Sequence, residues 1–352
     1  MIKLASIFWD PKPELFIVPI LHWPILWYGI LFALGFLVGF TLFVGLLTRY
    51  FLNDPFYLSA DIQKMDPFKQ KDKREVAEAL NEQISRGDSL GRNPSYEKFV
   101  ESSCALHPKR ALARLNLDEK LGAAVLSLRR KAVLITDRLT VYMIVATVLG
   151  ARLGHFIFYE RPSTYLKDPW EILRVWEGGL ASHGAVIAIV LAMILFSYRI
   201  RNQTRGLSWI RLLDFLSIPT ALAGSFIRLG NFFNQEILGS PSDLPWAVVF
   251  GHPADHSASI PRHPVQIYEA LFYLAVFFFL WRLSYRPAFL LARGKLIGMF
   301  LILVFGFRFF IEFFKIEQSH IVANGSFLTM GQYLSLPLIL AGFLFYFWKR
   351  KS

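Results

Sequence analysis

The sequence predicts an all-α integral membrane protein of about seven transmembrane helices, N-terminus outside and C-terminus cytoplasmic, with a polar cytoplasmic insert after the first helix. Three observations carry this expectation. The chain's 352 residues are 54% hydrophobic and 16% aromatic, more apolar than an ordinary soluble domain. Windows of about 20 mainly apolar residues, the length a helix needs to cross the hydrocarbon core, recur along it. Loop charge is one-sided, and lysine and arginine in short loops stay on the cytoplasmic face.

The windows lie near residues 25–47, 138–159, 181–198, 210–233, 265–283, 296–315 and 329–348. Ahead of the first, MIKLASIFWDPKPELF puts Asp10, Glu14 and two prolines where a signal peptide needs an unbroken apolar core, so no cleaved signal is expected. Gly29, Gly35, Gly39 and Gly45 recur along the first window, a pattern that suits close helix contact in lipid. Residues 53–137 form the polar insert, with runs such as KQKDKREVAEALNEQ and LRRKAV. Within it Val76, Ala79, Leu80 and Ile84 follow a helical period, which predicts a short amphipathic helix.

Orientation follows from the remaining loops. Arg199, Arg201, Arg205 and Arg211 follow the third window, Arg282, Arg286, Arg293 and Lys295 follow the fifth, and the chain ends KRKS. On the opposite side, Ile237 to His263 holds Arg262 as its one strong base, and Glu317 to Thr329 holds none. The net charge of +12 is thereby explained by the positive-inside bias and attraction to anionic lipid. No nucleic acid partner is implied. The single cysteine, Cys104, excludes an intramolecular disulfide and a CxxC site.

Polar groups at membrane depth are costly unless paired or working. Tyr28, at the outer start of the first window, fits an interfacial aromatic. Arg152 and His155, one turn apart with Glu160 beyond them, fit a paired structural cluster. His183, in GGLASHGA, has small neighbours that leave its ring approachable, and an imidazole titrates near neutral pH and can take a proton from a nucleophile. FIRLGNFFNQE places Arg228, Asn231, Asn234 and Glu236 where the fourth window ends; Arg228 and Asn231, three apart, share a helix face. Arg308 and Glu312, four apart in the sixth window, share another. Each such set also fits an internal ion pair that only joins helices. In HPVQIYEALFY, Pro264 suits a helix start, and Tyr268 and Glu269 follow one turn later. Two arginines, a histidine and several amides near one leaflet suit an anionic headgroup, because the guanidinium fork binds phosphate oxygens in pairs and stays charged. HExxH, P-loop and GxGxxG motifs are absent.

Taken in order, WYG at 27–29, GARLGHFIFYE at 150–160, EGGLASHGA at 177–185, RLGNFFNQEILG at 228–239, HPVQIYEA at 263–270 and GFRFFIEFFK at 306–315 resemble the prolipoprotein diacylglyceryl transferase family. The motifs cover every window except the last. The resemblance implies a seven-span fold with the N-terminus outside and the active site toward the outer leaflet of a bacterial inner membrane. It implies transfer of the diacylglyceryl group from phosphatidylglycerol to the lipobox cysteine thiol of a prolipoprotein signal peptide, with formation of a thioether and release of glycerol phosphate. Carried over by motif, Arg228 and Arg308 bind the phosphate and His183 deprotonates the thiol. Tyr28, Asn231, Glu236, Gly239, Tyr268 and Glu312 belong to headgroup binding and site architecture. No metal or other cofactor is expected.

The resulting organisation is an N-terminal periplasmic segment with the first helix over 1–52, the insert over 53–137, and a six-helix catalytic core with periplasmic loops over 138–352. The insert has no counterpart in the compact form of the family. Ile227 and Ala185 stand where the family commonly has glycine, without removing a functional group. The competing reading is a transporter or channel in which His183, Arg228, Arg308 and Glu312 line a proton or anion pathway. It predicts paired halves with repeated motifs, and the sequence shows no internal repeat.

Overall fold

The computed structural model describes residues 6–19, 23–53, 119–158, 170, 174, 179, 181–202, 204, 206–316 and 328–347. Among these, seven long helices follow one another: α1 (Trp27–Asn53), α2 (Glu119–Phe158), α3 (Ser182–Ile200), α4 (Trp209–Phe233), α5 (Val265–Leu283), α6 (Lys295–Ile311) and α7 (Met330–Phe347). All but α3 are long and apolar enough to cross a bilayer, and α3 contributes the shorter apolar stretch Gly184–Ile200. The chain is a mainly helical integral membrane protein. α2 starts well before residue 138, so the end of the polar insert is continuous with the second helix. The amphipathic segment expected around Val76 to Ile84, with Cys104 and Glu160, lies outside the described residues.

Two compact units share the chain: Val44–Leu213 forms one, and Met1–Phe43 with Asp214–Ser352 forms the other. In the first, α2 and α3 meet through glycine. A Cβ on Gly154 would stand 2.6 Å from the Cα of Gly184, so the two backbones touch, the arrangement that small residues permit in lipid. Arg152 and His155 turn toward Gly179, as a structural cluster would. The Arg152 guanidinium donates to the Gly179 carbonyl at 3.3 Å and lies 4.8 Å from the Phe156 ring centroid. Gly179 adopts φ +65°, and a Cβ there would press on the His155 ring at 2.7 Å.

In the second unit, Gly35 and Gly39 of α1 face α4, where a Cβ on either would reach Ala223 or Pro219 at 3.4 Å, while Gly29 has open space around it. The glycine stripe therefore faces α4 at two of its positions, with room there for a methyl group, and faces open space at Gly29. α5 and α6 are joined by Phe272 and Phe307, whose rings stack at 4.0 Å. α6 and α7 approach at Gly298, where a Cβ would lie 2.8 Å from the Gly342 carbonyl. The start of α6 is capped from a distance: buried Asp214 accepts the amide of Gly294 at 2.7 Å and that of Ile297 at 2.9 Å. This satisfies donors a helix N-terminus leaves open and puts negative charge at its positive end.

Five short strands belong to the same unit: β1 (Ile7–Trp9), β2 (Glu14–Val18), β3 (Trp23–Leu26), β4 (Val248–Phe250) and β5 (Pro261–Arg262). Hydropathy along the chain does not announce them. β2 and β3 make an antiparallel hairpin that leads into α1. β4 sits between β1, which it pairs in parallel, and β5, which it pairs antiparallel. Beneath it Leu238, Val248 and Phe250 form a small apolar core with Trp9, Phe232 and Ile316. That core ties the N-terminal strand and the turn after α6 to the loop that follows α4.

Candidate active site

The site is built where α4 ends. Helical periodicity carries Arg228 and Asn231 onto one face, and the Arg228 Nη1 donates to Asn231 Oδ1 at 3.3 Å. After Phe233 the chain turns through two residues in the left-handed region, Gln235 at φ 54° and Ile237 at φ 57°. The turn brings Glu236 back over the helix end. Its Oε1 accepts from Asn231 Nδ2 at 2.7 Å and from Asn234 Nδ2 at 3.3 Å, while its carbonyl accepts from Gln266 Nε2 at 2.7 Å.

From α5 comes Glu269, with a side chain entirely removed from solvent. Its Oε2 lies 3.1 Å from Arg228 Nε. Its Oε1 meets Lys315 Nζ at 3.0 Å and receives the Tyr273 hydroxyl at 3.3 Å. Lys315 also stands 3.5 Å from Glu312 Oε2. A buried carboxylate is costly by itself; two cations and a phenol offset that cost and lock α4, α5 and the turn after α6 together. Leu238 and Gly239 hold that turn from the side, the Ile316 amide donating to the Leu238 carbonyl at 3.2 Å and Gly239 bridging to Lys315.

Arg308 is placed differently. It is half-buried, and among the described residues no hydrogen bond or ion pair engages its guanidinium. Its charge, like that of Arg228, reaches Tyr273. Among the described residues, one arginine is thus held by a carboxylate and an amide, and the other has no such partner.

Those of the other expected residues that share this unit lie as follows. The Tyr28 ring lies against Gly230, where a Cβ would stand 2.6 Å from it, and the charges of Glu236 and Arg228 reach its hydroxyl. Gly239 abuts the His263 carbonyl with no space for a side chain. The Tyr268 hydroxyl accepts from Trp246 Nε1 at 2.8 Å. Glu312 lies against Gly331, at the start of α7. His183 opens α3 in the other unit, and its side chain lies outside the described part of the structure. Four residues join the site that motif spacing did not select: Gln266, Glu269, Tyr273 and Lys315. A signal existed, since Gln266, Glu269 and Tyr273 recur at intervals of three and four in an otherwise apolar helix, which is one face.

The sequence model of the prolipoprotein diacylglyceryl transferase family matches residues 120–348, a stretch that contains this whole cluster apart from Tyr28. The chain belongs to that family. A phosphatidylglycerol–prolipoprotein diacylglyceryl transferase of Protochlamydia amoebophila is 38% identical over 355 residues, covering 96% of this chain and 94% of its own length. A protein of the same name from Tolumonas auensis is 48% identical over 206 residues, 58% of this chain and 76% of its own. One from Porphyromonas gingivalis is 43% identical over 217 residues, 58% and 74% respectively. Membership in the prolipoprotein diacylglyceryl transferase family makes the chain a transferase. The extent of the Protochlamydia match requires that most of residues 53–137 have a counterpart there, whereas the shorter matches reach little beyond half of the chain.

Proposed function

We propose that the chain transfers the diacylglyceryl group of phosphatidylglycerol to the lipobox cysteine thiol of a prolipoprotein, the first step of bacterial lipoprotein maturation. In this reading it is a multi-pass protein of the inner membrane with its N-terminus outside and the site toward the outer leaflet, as the loop charges favour. The thiolate sulfur bonds to the glycerol carbon that carries the phosphate ester. The carbon–oxygen bond breaks, and glycerol phosphate leaves with the electron pair. The thiol proton passes to His183, the proposed base.

The observation that carries this reading is the contrast between the two arginines. Arg228 is oriented by Glu269 and Asn231, and Arg308 has no carboxylate partner among the described residues. A fixed guanidinium and a free one suit a phosphodiester whose negative charge is rearranged as the ester bond breaks. Donors already oriented pay no reorganisation cost at that moment. Glu236, Asn231, Tyr28 and Tyr268 supply the carboxylate, amide and hydroxyl groups that a glycerol headgroup can bond. Gly239 and Glu312 act as architecture, the first by close backbone approach and the second by holding Lys315.

The test is transfer of label to a lipobox peptide from phosphatidylglycerol radiolabelled in its acylated glycerol, by purified protein in detergent, beside Arg228→Ala and His183→Gln. Label on the peptide with the wild type, and its loss in Arg228→Ala, is the expected result. A His183→Gln protein that keeps most of its rate would reassign the proton to another group. A folded wild type that transfers no label would defeat the transferase reading.

A further inference from the structure

The last residue of β1 and the one after it grip the loop of the site. Trp9 Nε1 donates to the Phe232 carbonyl at 3.1 Å, and its ring lies 4.5 Å from that of Phe232 and 5.5 Å from that of Phe233. Asp10 Oδ1 accepts from Gln235 Nε2 at 3.1 Å and lies 2.6 Å from His252 Nδ1. Gln235 Oε1 in turn accepts the His252 amide at 2.7 Å. The pairing of β1 with β4 puts Asp10 against Gly251, whose missing Cβ leaves room for the carboxylate.

What Asp10 holds is a residue in an unfavourable conformation. Gln235 and Ile237 both lie at positive φ, where a side chain remains only if its surroundings over-determine it. Glu236 sits between them, and its carboxylate takes the Asn231 amide whose oxygen receives Arg228. A continuous set of contacts therefore leads from Asp10 through Gln235 and Glu236 to Arg228.

We infer that Asp10 is a positioning residue for the anion clamp, acting through Gln235 to keep Glu236, Asn231 and Arg228 in register. The inference rests on the transfer reaction proposed above. Trp9 sets the strand against the end of α4, and Asp10 fixes the turn that follows. The His252 hydrogen bond holds the Asp10 carboxyl below the usual carboxylate range, so it is a charged acceptor at neutral pH. The amide of asparagine retains an oxygen for Gln235, whereas alanine leaves Gln235 Nε2 without this partner.

Asp10→Ala and Asp10→Asn are compared with wild type as full chains in detergent, by label transfer, thermal unfolding and amide hydrogen exchange. Asp10→Ala should raise KM for phosphatidylglycerol about tenfold with little change in kcat, since small displacements of a binding group are costly. Exchange at the Gln235 to Leu238 amides should quicken, and Asp10→Asn should restore both readouts. Wild-type KM and exchange in Asp10→Ala would overturn the inference. So would a rate loss that tracks lost thermal stability and is not rescued by Asp10→Asn. If the wild type itself transfers no label, the functional reading falls, and amide exchange alone judges whether Asp10 holds the loop.

Discussion

Arg228 and Glu269 meet at 3.1 Å, guanidinium Nε to carboxylate Oε2, with the glutamate side chain fully buried. Lys315 reaches the other oxygen of the same carboxylate at 3.0 Å. One anion between two cations is a tightly coupled arrangement, because removing it leaves two like charges in a place with little water to screen them. Glu269→Gln should lower transfer at least about a hundredfold and destabilise the protein by about 3–5 kcal/mol, the usual cost of breaking a buried pair. Thermal unfolding and label transfer on the same preparation check both parts. Unchanged stability would mean that Arg228 and Lys315 find other partners.

Arg308 should behave in the opposite way. No ion pair or hydrogen bond among the described residues is lost when it is truncated, so Arg308→Ala should unfold close to the wild-type temperature. Transfer should fall by about 10²–10³, the range for loss of one donor to developing charge. Arg308→Lys should recover only part of the rate, since an ammonium lacks the planar fork. A destabilised but active Arg308→Ala protein would make this arginine a packing residue.

Gly331 tests the last helix, which carries no family motif. A Cβ at this position would occupy the space of the Glu312 carboxylate, and that carboxylate is the end of a flexible side chain that can swing away. Gly331→Ala should therefore fold, move Glu312 from Lys315, and reduce transfer about tenfold, as a misplaced supporting group does. The Gly331→Ala, Glu312→Ala double variant should lose no more than Glu312→Ala alone, because neighbours in one network are not additive. Additive losses would separate Gly331 from Glu312.

Asp214 makes a purely structural prediction. Its hydrogen bonds to the amides that begin α6 lie fourteen residues before Arg228 in α4, roughly 21 Å along the helix. Asp214→Ala should cost about 2–3 kcal/mol of stability, for a lost cap and a buried amide left unbonded. Turnover per folded molecule should stay near wild type. A specific activity loss at full stability would contradict this assignment.

Much of the site could be read before folding was considered, and the reason is local. Arg228 and Asn231 three apart, and Arg308 and Glu312 four apart, are helix neighbours by geometry alone. The Arg228 to Asn231 bond is observed. Arg308 and Glu312, by contrast, form no pair in the structure; Glu312 turns to Lys315 instead, because a lysine three residues on lies at the turn where the helix tightens. Glu269 is visible in the sequence as a polar residue one turn into a span with Tyr273 four residues on, but nothing nearby in sequence marks Arg228 and Lys315 as its partners.

By itself, the sequence marked the rough limits of the apolar helices, an expected side for each loop and the residues with chemistry to offer. Those properties depend on segment length, helical period and charge, all of which are local. Tertiary structure alone decided that Glu269 is the hub of the cluster, that Arg228 is held while Arg308 has no partner among the described residues, and that Trp9 and Asp10 brace the loop after α4. It also decided where small residues matter, as at Gly331 and Gly239. Each of these depends on pairings between residues tens to hundreds of positions apart, whose geometry no local pattern encodes, because packing and burial select one partner among many of the same chemical type.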